Sequence, residues 1–400
     1  MSFDKILTRS EIFSEALFEQ MKQINPGIAD LELYEFRYAL DNIQPEKANW
    51  SDVHLDECTS IEQKVNDINF YQKIQIKFQV GNRITLDPAI VSLTNMLFVG
   101  LVSGKYSVEW LRQHFYFDIR GFYFLHRTKY FTRNIIDHLG CQPYLQFEQK
   151  QAGFERKQDI GYKEFREANA DVDQAFIQSV HKIIAHKGTP IMLAIAGATA
   201  AGKTEIVERL RSSFTGAGQR TTSIEMDNFL TDRDYREEKG IHTQGKEALH
   251  YELLKTSLAQ ICKGKKITIP RYDFVYATSS HDLNGNLKPD GIPIDIEPAD
   301  IIFIEGNFPF LLEEVSYLIG IKVVYLTADS VRMKRKWKRD IDYRKKYEPT
   351  YFRNRFFKDQ FIMAQIAYIP QMEICDLVVD TTDAALWVTP KIAQILNQEK

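Results

Sequence analysis

The chain has 400 residues, of which 44% are hydrophobic and 26% are charged, and its formal net charge is −3. These values describe a globular protein that is too long for one typical domain. A near-neutral charge balance provides no positive field that would gather nucleic acid or an anionic membrane, so neither is predicted as a partner. The four cysteines have no paired spacing and the N-terminus has no apolar signal region, which predicts a cytoplasmic protein without a zinc site or disulfides.

Residues 1–170 are predicted to form a mixed α+β domain. Apolar residues recur at helical spacing within the first 24 positions, and the uncharged stretch PAIVSLTNMLFVGLVSG, too short to cross a membrane, predicts a buried core helix. The segment KIQIKFQVGNRITLD alternates apolar and polar residues on both sides of a Gly-Asn pair, which predicts a hairpin. The polar stretch from Phe147 to Asp171 is the predicted linker, and we place the domain boundary near Asp171.

The segment RQHFYFDIRGFYFLHRTKYFTR in this first domain interleaves aromatic and basic residues. Such mixing can form a stacking surface for single-stranded nucleic acid. More often it is protein core with basic edges, and the slightly acidic chain favours that second interpretation. Nucleic-acid binding is therefore not predicted. The sequence leaves open whether this domain shapes an acceptor site, forms a homo-oligomer or docks a partner.

Residues 171–400 alternate short apolar runs with longer helical patterns. After a helix that ends at HKGTP, the runs IMLAIA, TTSIEM, DIIFIEG, KVVYLTA and DLVVDTT are nearly continuous in apolar residues. Such runs are typical of parallel strands that are buried on both faces. The β-α-β-α order therefore predicts an α/β domain with a parallel sheet and flanking crossover helices.

The octapeptide GATAAGKT follows the first of these strands and precedes the helical pattern KTEIVERLRSSF. In this strand–loop–helix context, G-x-x-x-x-G-K-T is the signature of a phosphate-binding P-loop. Its glycines let the backbone N–H groups point at phosphates, and the following helix adds its positive end. We predict that Lys203 reaches the β- and γ-phosphates and that Thr204 ligates Mg²⁺. The predicted nucleotide-binding residues of this loop are Gly197, Ala198, Thr199, Ala200, Ala201, Gly202, Lys203 and Thr204.

Further candidate residues follow the later strands. Asp227 comes after TTSIEM, where a carboxylate can accept a hydroxyl proton or hold Mg²⁺ through water. Glu305 ends DIIFIEG, which is the place for a second carboxylate near the metal. Arg335 and Arg339 are four residues apart in a basic helical segment. They share a face and could close over a triphosphate, so we add Arg335 to the nucleotide-binding residues.

Taken in this order, GATAAGKT, SIEMDNFL, IPRYDF, IIFIEGNFPF and RMKRKWKRDIDYR resemble the uridine kinase and phosphoribulokinase family of P-loop kinases. The resemblance covers about Thr189 to Thr382. It implies a P-loop NTPase fold and an enzyme that uses ATP and Mg²⁺ to phosphorylate a hydroxyl group of a small-molecule acceptor.

The resemblance also implies individual roles. Asp227 matches the catalytic base of the family, and Arg339 and Arg344 match its lid arginines. Glu305 matches the acidic residue of the family's E-G-I segment. The residues that match its acceptor-site segment are Tyr272 and Asp273.

Two departures from the family pattern fall on the acceptor side. Uridine kinases usually carry Asp-His-Pro where this chain has Gln244-Gly245-Lys246, and VYATSSHD replaces the His and Arg that usually follow YDF. The pocket thereby loses a carboxylate that could bind two ribose hydroxyls. We therefore predict that uridine is a poor acceptor and that the true acceptor carries an anionic group able to meet Lys246 or Arg271.

Three functions remain open at this point. The leading one is an ATP-dependent kinase whose acceptor is a nucleoside, and the second keeps the kinase but changes the acceptor to a sugar phosphate, glycerate or a pantothenate-like molecule. The third is a nucleotide-sensing regulator without metabolite kinase activity. Retention of Asp227 favours a kinase, because a sensor needs no catalytic base.

Overall fold

The computed structural model describes residues 3–24, 28–29, 31–43, 50–73, 77–78, 84–85, 87–118, 123–149, 166–241, 245–342 and 361–398. Within these ranges, none of the helices combines the length and apolarity that crossing a bilayer requires. Of the candidate site residues, Arg344 and Gln244 lie outside the described residues.

The first part of the chain mixes helices with two short hairpins, as the sequence predicts. Its helices are Phe3–Thr8 (α1), Ser10–Ile24 (α2), Leu33–Ile43 (α3), Cys58–Asn66 (α4), Ile68–Lys73 (α5), Pro88–Val102 (α6) and Val108–His114 (α7). The hairpins pair Lys77–Phe78 (β1) with Ile84–Thr85 (β2) and Phe115–Asp118 (β3) with Tyr123–His126 (β4), both antiparallel. The hairpin predicted from KIQIKFQVGNRITLD is therefore confirmed, although its turn lies outside the described residues.

Helix α6 is the core helix predicted from the uncharged stretch. It starts with Pro88 at its first position, and the Asp87 side chain accepts a hydrogen bond from the Ala89 backbone amide at 2.9 Å. A capping carboxylate followed by proline is a strong start signal for a helix. Ile90, Leu97 and other apolar residues around the helix are buried, so α6 packs into the hydrophobic core of the first part of the chain.

The second part of the chain is built on one large sheet. The strands of this sheet are Leu145–Gln146 (β5), Ile191–Ala196 (β6), Thr221–Glu225 (β7), Ile301–Gly306 (β12), Ile321–Leu326 (β13), Leu377–Asp380 (β14) and Ala385–Val388 (β15). They lie in the order β5-β15-β14-β13-β6-β12-β7. The five apolar runs of the sequence form β14, β13, β6, β12 and β7, which are neighbours in this order and mutually parallel. The two remaining strands are antiparallel to their neighbours.

Smaller elements complete this part. Its helices are Arg133–His138 (α8), Ala170–Lys187 (α9), Lys203–Gly216 (α10), Arg233–Glu238 (α11), Tyr251–Ile261 (α12), Glu313–Ser316 (α13), Asp329–Asp342 (α14), Ile369–Met372 (α15) and Pro390–Leu396 (α16). Two short antiparallel ladders pair Ile267–Ile269 (β8) with Ile294–Ile296 (β11) and Tyr272–Asp273 (β9) with Thr278–Ser279 (β10). Helices cover both faces of the sheet and bury one apolar cluster on each side, which explains why the strands are apolar at nearly every position.

The register of the parallel strands places the candidate site at one edge of the sheet. Ala196 on β6 aligns with Gly306 on β12, and Glu305 aligns with Glu225 on β7. The loop GATAAGKT starts directly after Ala196, and Asp227 follows β7 by two residues. All of these groups therefore emerge at the carboxyl ends of adjacent strands, where open α/β sheets bind ligands.

The described residues fall into two compact units, the first of which includes the chain up to Lys129. Residues from Tyr130 to Gln149 belong to the second unit, because β5 pairs with β15 and Ile135 and Leu139 are buried in a core under the sheet. This division differs from the boundary placed near Asp171. That a separate domain spans residues 1–170 stays a prediction.

Candidate active site

The loop between β6 and α10 has the shape that its glycines allow. Gly202 has a φ of 106°, a conformation that side chains rarely adopt, and directly precedes α10. A Cβ atom on Gly197 would lie 2.5 Å from the backbone oxygen of Tyr325 on β13. The two glycines of the motif are therefore needed for a backbone turn and for close contact between the loop and the sheet.

Lys203, the first residue of α10, folds back over this loop. Its Nζ atom donates hydrogen bonds to the carbonyl oxygens of Gly197 at 2.9 Å and of Ala198 at 3.0 Å. Burial lowers the pKa of Lys203, while the nearby carboxylates of Glu305 and Asp227 act in the opposite direction. The structure thus brings the lysine, the loop and both candidate carboxylates into one electrostatic unit.

Glu305 is the buried carboxylate of this group. It is only 5% exposed, and Thr204, the second residue of α10, lines the same cavity. Burial raises the pKa of Glu305 to about 7, although Lys203 and the Thr204 hydroxyl favour the charged form. Its Oε2 atom is buried and has no hydrogen-bond partner among the described residues. A buried oxygen that lacks a donor is suited to a cation or to an ordered water.

Two of the predicted arginines contact the P-loop from α14. Arg335 donates from Nη1 to the carbonyl oxygen of Ala201 at 3.0 Å, and Arg339 donates from Nη2 to the Thr199 hydroxyl at 3.2 Å. Their spacing of four residues puts both on the face of α14 that meets the loop. The position of Arg344 falls outside the described residues, so its role as a lid arginine stays a prediction.

Arg332, which precedes Arg335 by three residues in the same basic helix, is a further contact residue. It is fully buried, and it donates to the backbone oxygens of Thr327 at 3.1 Å and of Thr199 at 3.3 Å. It also forms an ion pair with Asp329. Arg332 therefore ties the P-loop to the start of α14, and the sequence could not distinguish this buried arginine from the partly exposed ones.

A cavity of about 340 Å³ opens at this edge of the sheet. It is lined by Thr199, Ala200, Gly202, Lys203, Thr204, Glu205, Glu208, Glu225, Asp227, Glu305, Gly306, Asn307, Arg335 and Arg339. The three cations lie with the loop, and five carboxylates line the remaining wall. Sequence reasoning missed Glu205, Glu208 and Glu225; the signal for Glu225 was its place at the end of β7, two residues before Asp227.

The predicted acceptor residues do not line this cavity. The Tyr272 hydroxyl is buried and accepts a hydrogen bond from Arg236 at 2.8 Å, and Asp273 accepts bonds from the backbone amides of Val275 and Tyr276 within a tight turn. Arg271 is exposed, and its backbone amide bonds to Ser280. The side chains of Tyr272 and Asp273 therefore have structural explanations, and an acceptor role for Tyr272, Asp273 and Arg271 stays a prediction.

Lys246 lines a second cavity, of about 430 Å³, together with Gly245, Tyr251, Phe308, Leu311, Leu312, Glu313, Glu314, Ile366 and Ala367. Its side chain is exposed and its Nζ atom lies 5.8 Å from the centre of the Tyr251 ring. Two glutamates and this single ammonium group line the same cavity, and the charge of Lys246 favours the ionised form of Glu314, so the surroundings of Lys246 do not favour an anionic acceptor.

The residues of the main cavity fit a nucleotide with Mg²⁺. Among the described residues, no three His, Cys, Asp or Glu side chains cluster closely enough to hold a metal ion. Mg²⁺ does not need such a cluster, because it is usually held by one or two protein oxygens together with phosphates and waters. The Thr204 hydroxyl and the Glu305 carboxylate provide two such oxygens beside the loop.

Comparison with known proteins agrees with this geometry. The model of the "Phosphoribulokinase / Uridine kinase family" matches residues 192–386. A uridine kinase from Lactobacillus helveticus is 26% identical over 221 residues, which are 52% of this chain and 97% of the relative. A uridine kinase from Brevibacillus brevis is 32% identical over 160 residues, 39% of this chain and 69% of the relative. The chain belongs to the phosphoribulokinase/uridine kinase family.

Membership in this family makes the chain a P-loop kinase whose acceptor is a hydroxyl group of a small molecule, and it favours the enzyme over a nucleotide sensor. Among solved structures, phosphoribulokinase from Rhodobacter spheroides matches with a TM-score of 0.35 and 17% identity, covering 49% of this chain and 73% of that one. The family model begins within β6, so the elements before residue 192 lie outside the part of the chain that it matches.

Proposed function

We propose that this kinase transfers the γ-phosphoryl group of ATP to a hydroxyl of a small metabolite in the cavity at the P-loop. One observation carries the proposal: three cations converge on this cavity with the carboxylates of Asp227 and Glu305, which come from separate elements. Phosphoryl transfer requires mostly positioning and charge neutralisation, which such a set of groups supplies.

On the donor side, Lys203, Arg335 and Arg339 bind the phosphate oxygens and neutralise their charge as transfer proceeds. Each of these cations contacts the P-loop backbone or the Thr199 hydroxyl, so all three lie beside the loop that would hold the phosphates. Thr204 and Glu305 would hold Mg²⁺, which supplies further charge neutralisation to the phosphate groups.

On the acceptor side, Asp227 accepts the proton of the attacking hydroxyl group. It is half-buried, it lines the same cavity as Lys203, and it follows β7 at the carboxyl edge of the sheet. A carboxylate held at this edge can orient the hydroxyl toward the phosphorus and take its proton as the new P–O bond forms.

A nucleoside is the first acceptor class to test, because the curated relatives described above are named uridine kinases. A non-nucleoside alcohol is the second class. This second class is favoured because the chain has Gln244-Gly245-Lys246 where uridine kinases usually have Asp-His-Pro. Loss of a ribose-binding carboxylate removes discrimination for that sugar.

The test is an ADP-release assay on the full chain with ATP and Mg²⁺, first without acceptor and then with nucleosides, sugar phosphates, glycerate and pantothenate in turn. We expect acceptor-dependent ADP release and a phosphorylated product that the Asp227→Asn variant forms at least about 10²-fold more slowly. Turnover that ignores every acceptor and is retained in Asp227→Asn would contradict the proposal.

A further inference from the structure

Asp173 is a buried carboxylate on α9, ahead of the residues that the family model matches. It is 4% exposed and has two strong partners. The Tyr325 hydroxyl donates to its Oδ1 atom at 2.7 Å, and Arg209 Nη1 on α10 donates to its Oδ2 atom at 2.5 Å. Neither the P-loop motif nor the cavity lining includes Asp173.

Tyr325 connects this carboxylate to the phosphate-binding loop. Its backbone oxygen is the atom that excludes a side chain at Gly197, and its ring would lie 3.5 Å from a Cβ atom on Gly202. The aromatic ring and its backbone thus pack against both glycines of the motif. A shift of Tyr325 would move the wall on which the loop rests.

Arg335 is the second group that reaches the loop from this side. Its Nη1 atom donates to the Ala201 oxygen and would lie 3.0 Å from a Cβ atom on Gly202. The charge of Arg335 favours the ionised form of Asp173, so the two groups attract each other. Asp173 is therefore linked to the loop in two ways. It accepts a hydrogen bond from Tyr325, which packs against the loop, and it is attracted electrostatically by Arg335, which donates a hydrogen bond to the loop.

Burial disfavours the ionised form of Asp173 and raises its pKa to about 6. The hydrogen bond from Tyr325 and the charges of Arg209 and Arg335 act in the opposite direction, whereas Glu205 raises the pKa further. A buried carboxylate destabilises a fold unless its partners are well placed. Because the partners of this buried carboxylate contact the phosphate-binding loop, we infer a role for Asp173 in addition to packing.

We propose that Asp173 is a positioning residue of the nucleotide site, which fixes Tyr325 and Arg335 against the P-loop. Helix α9 then contributes to the phosphate-binding site, although it precedes the residues that the family model matches. The inference rests on the proposed function only in assuming that the P-loop binds a nucleotide.

The first experiment measures the dissociation constant for Mg²⁺-ADP on the full chain at pH 8. Asp173→Asn keeps the size of the side chain but removes its charge, and we expect it to weaken ADP binding by about tenfold, as loss of a charge-assisted contact typically does. Asp171→Asn is the matched control, because it removes an exposed carboxylate from the same first turn of α9. We expect the control to stay within about twofold of wild type.

The second experiment separates positioning from a general loss of structure. Since Asp173 loses its charge as the pH falls through about 6, the ratio of the Asp173→Asn and wild-type dissociation constants should fall toward one between pH 8 and pH 5.5. Titration of the ligand and of Glu305 is common to both proteins and cancels in this ratio. Arg209, Arg335, Tyr325 and Glu205 also face Asp173, and all four are unchanged in both proteins.

Tyr325→Phe supplies an independent variant in case Asp173→Asn does not fold. It keeps the ring against Gly202 but removes the hydrogen bond to Asp173, so the pH at which ADP affinity falls should move upward. In turnover assays, both variants should raise the KM for ATP and leave the KM for the acceptor unchanged.

The outcomes distinguish the inference from the function on which it rests. If wild type binds ADP and both variants bind it equally well with unshifted pH dependence, Asp173 has no positioning role and the kinase proposal is unaffected. If wild type itself binds no nucleotide, the proposed function is wrong and the inference falls with it.

Discussion

The ammonium group of Lys203 lies 2.9 Å from the carbonyl oxygen of Gly197, so the lysine that begins α10 closes over the first glycine of its own loop. The same ammonium group is attracted by Glu305 and Asp227, which emerge from two neighbouring strands. A single cation therefore joins the loop, the candidate metal ligand and the candidate base.

Lys203→Met should abolish phosphoryl transfer and leave the protein folded. The ammonium group neutralises charge at the β- and γ-phosphates, whereas a methionine of similar length fills its place without a charge. ADP release and the thermal unfolding midpoint are the two measurements, with Lys263→Met, an exposed lysine after α12, as the control. A folded Lys203→Met protein with undiminished turnover would show that the P-loop assignment is wrong.

Asp227→Asn should lower kcat by about 10²-fold or more, since a general base typically contributes 10²- to 10⁴-fold. The amide keeps the shape of the side chain but cannot accept the hydroxyl proton. Nucleotide affinity should change little, and Asp234→Asn in α11 serves as a control for the loss of one exposed negative charge. If nucleotide binding collapses while the residual kcat does not, Asp227 is a metal ligand or a structural cap.

Local sequence signals were enough to find the P-loop, Asp227 and Glu305, which the structure brings to one cavity. The P-loop motif, the five apolar strands and the ends of β7 and β12 are each contained in a few consecutive residues, so they can be found without knowing the fold. The parallel order of those strands then places Lys203, Asp227 and Glu305 at one edge of the sheet.

The remaining features depend on contacts between distant parts of the chain. Asp173 and Tyr325 are separated by 152 positions, and the burial of Arg332 cannot be read from its place in the basic segment RMKRKWKRDIDYR. The strand Leu145–Gln146 has only two residues and joins the sheet through β15, so it has no periodicity from which it could be predicted. Tyr272 matched a family motif, yet its hydroxyl bonds to Arg236, whose burial the sequence did not indicate.

Glu305→Gln should stabilise the protein at alkaline pH while it impairs catalysis. The pKa of Glu305 is raised by burial from 4.5 to about 7. Between these values the folded state binds more protons than the unfolded state, so Glu305 reduces stability progressively as the pH rises and has its full cost above about pH 7. A neutral glutamine avoids that cost, which is on the order of 3 kcal/mol.

The measurement is the free energy of unfolding by urea without nucleotide or Mg²⁺, at several pH values. The advantage of Glu305→Gln over wild type should grow from about pH 5 to pH 8. Mg²⁺-ATP should then stabilise wild type more than the variant, because binding to the folded state adds stability in proportion to affinity. A constant difference at all pH values would show that Glu305 does not titrate in this range.

The sequence and the structure favour different predictions about the acceptor. The sequence lacks the Asp-His-Pro of uridine kinases, so we expect uridine and cytidine to have a lower kcat/KM than the best acceptor of a broad panel. Lys246 was a candidate for an anionic group of that acceptor, yet it is exposed and lies in a cavity with Glu313 and Glu314.

An exposed ammonium group in a cavity that also contains two carboxylates contributes little to binding an anion. Lys246→Ala should therefore change kcat/KM for the best acceptor by less than about threefold, whereas Asp227→Asn lowers it for every acceptor. The measurement is kcat/KM for uridine, cytidine and a panel of neutral, phosphorylated and carboxylated alcohols, on wild type and both variants. A large loss in Lys246→Ala that is confined to anionic acceptors would restore Lys246 as a specificity residue, and efficient phosphorylation of uridine by wild type would show that the departures from the family pattern do not change the acceptor.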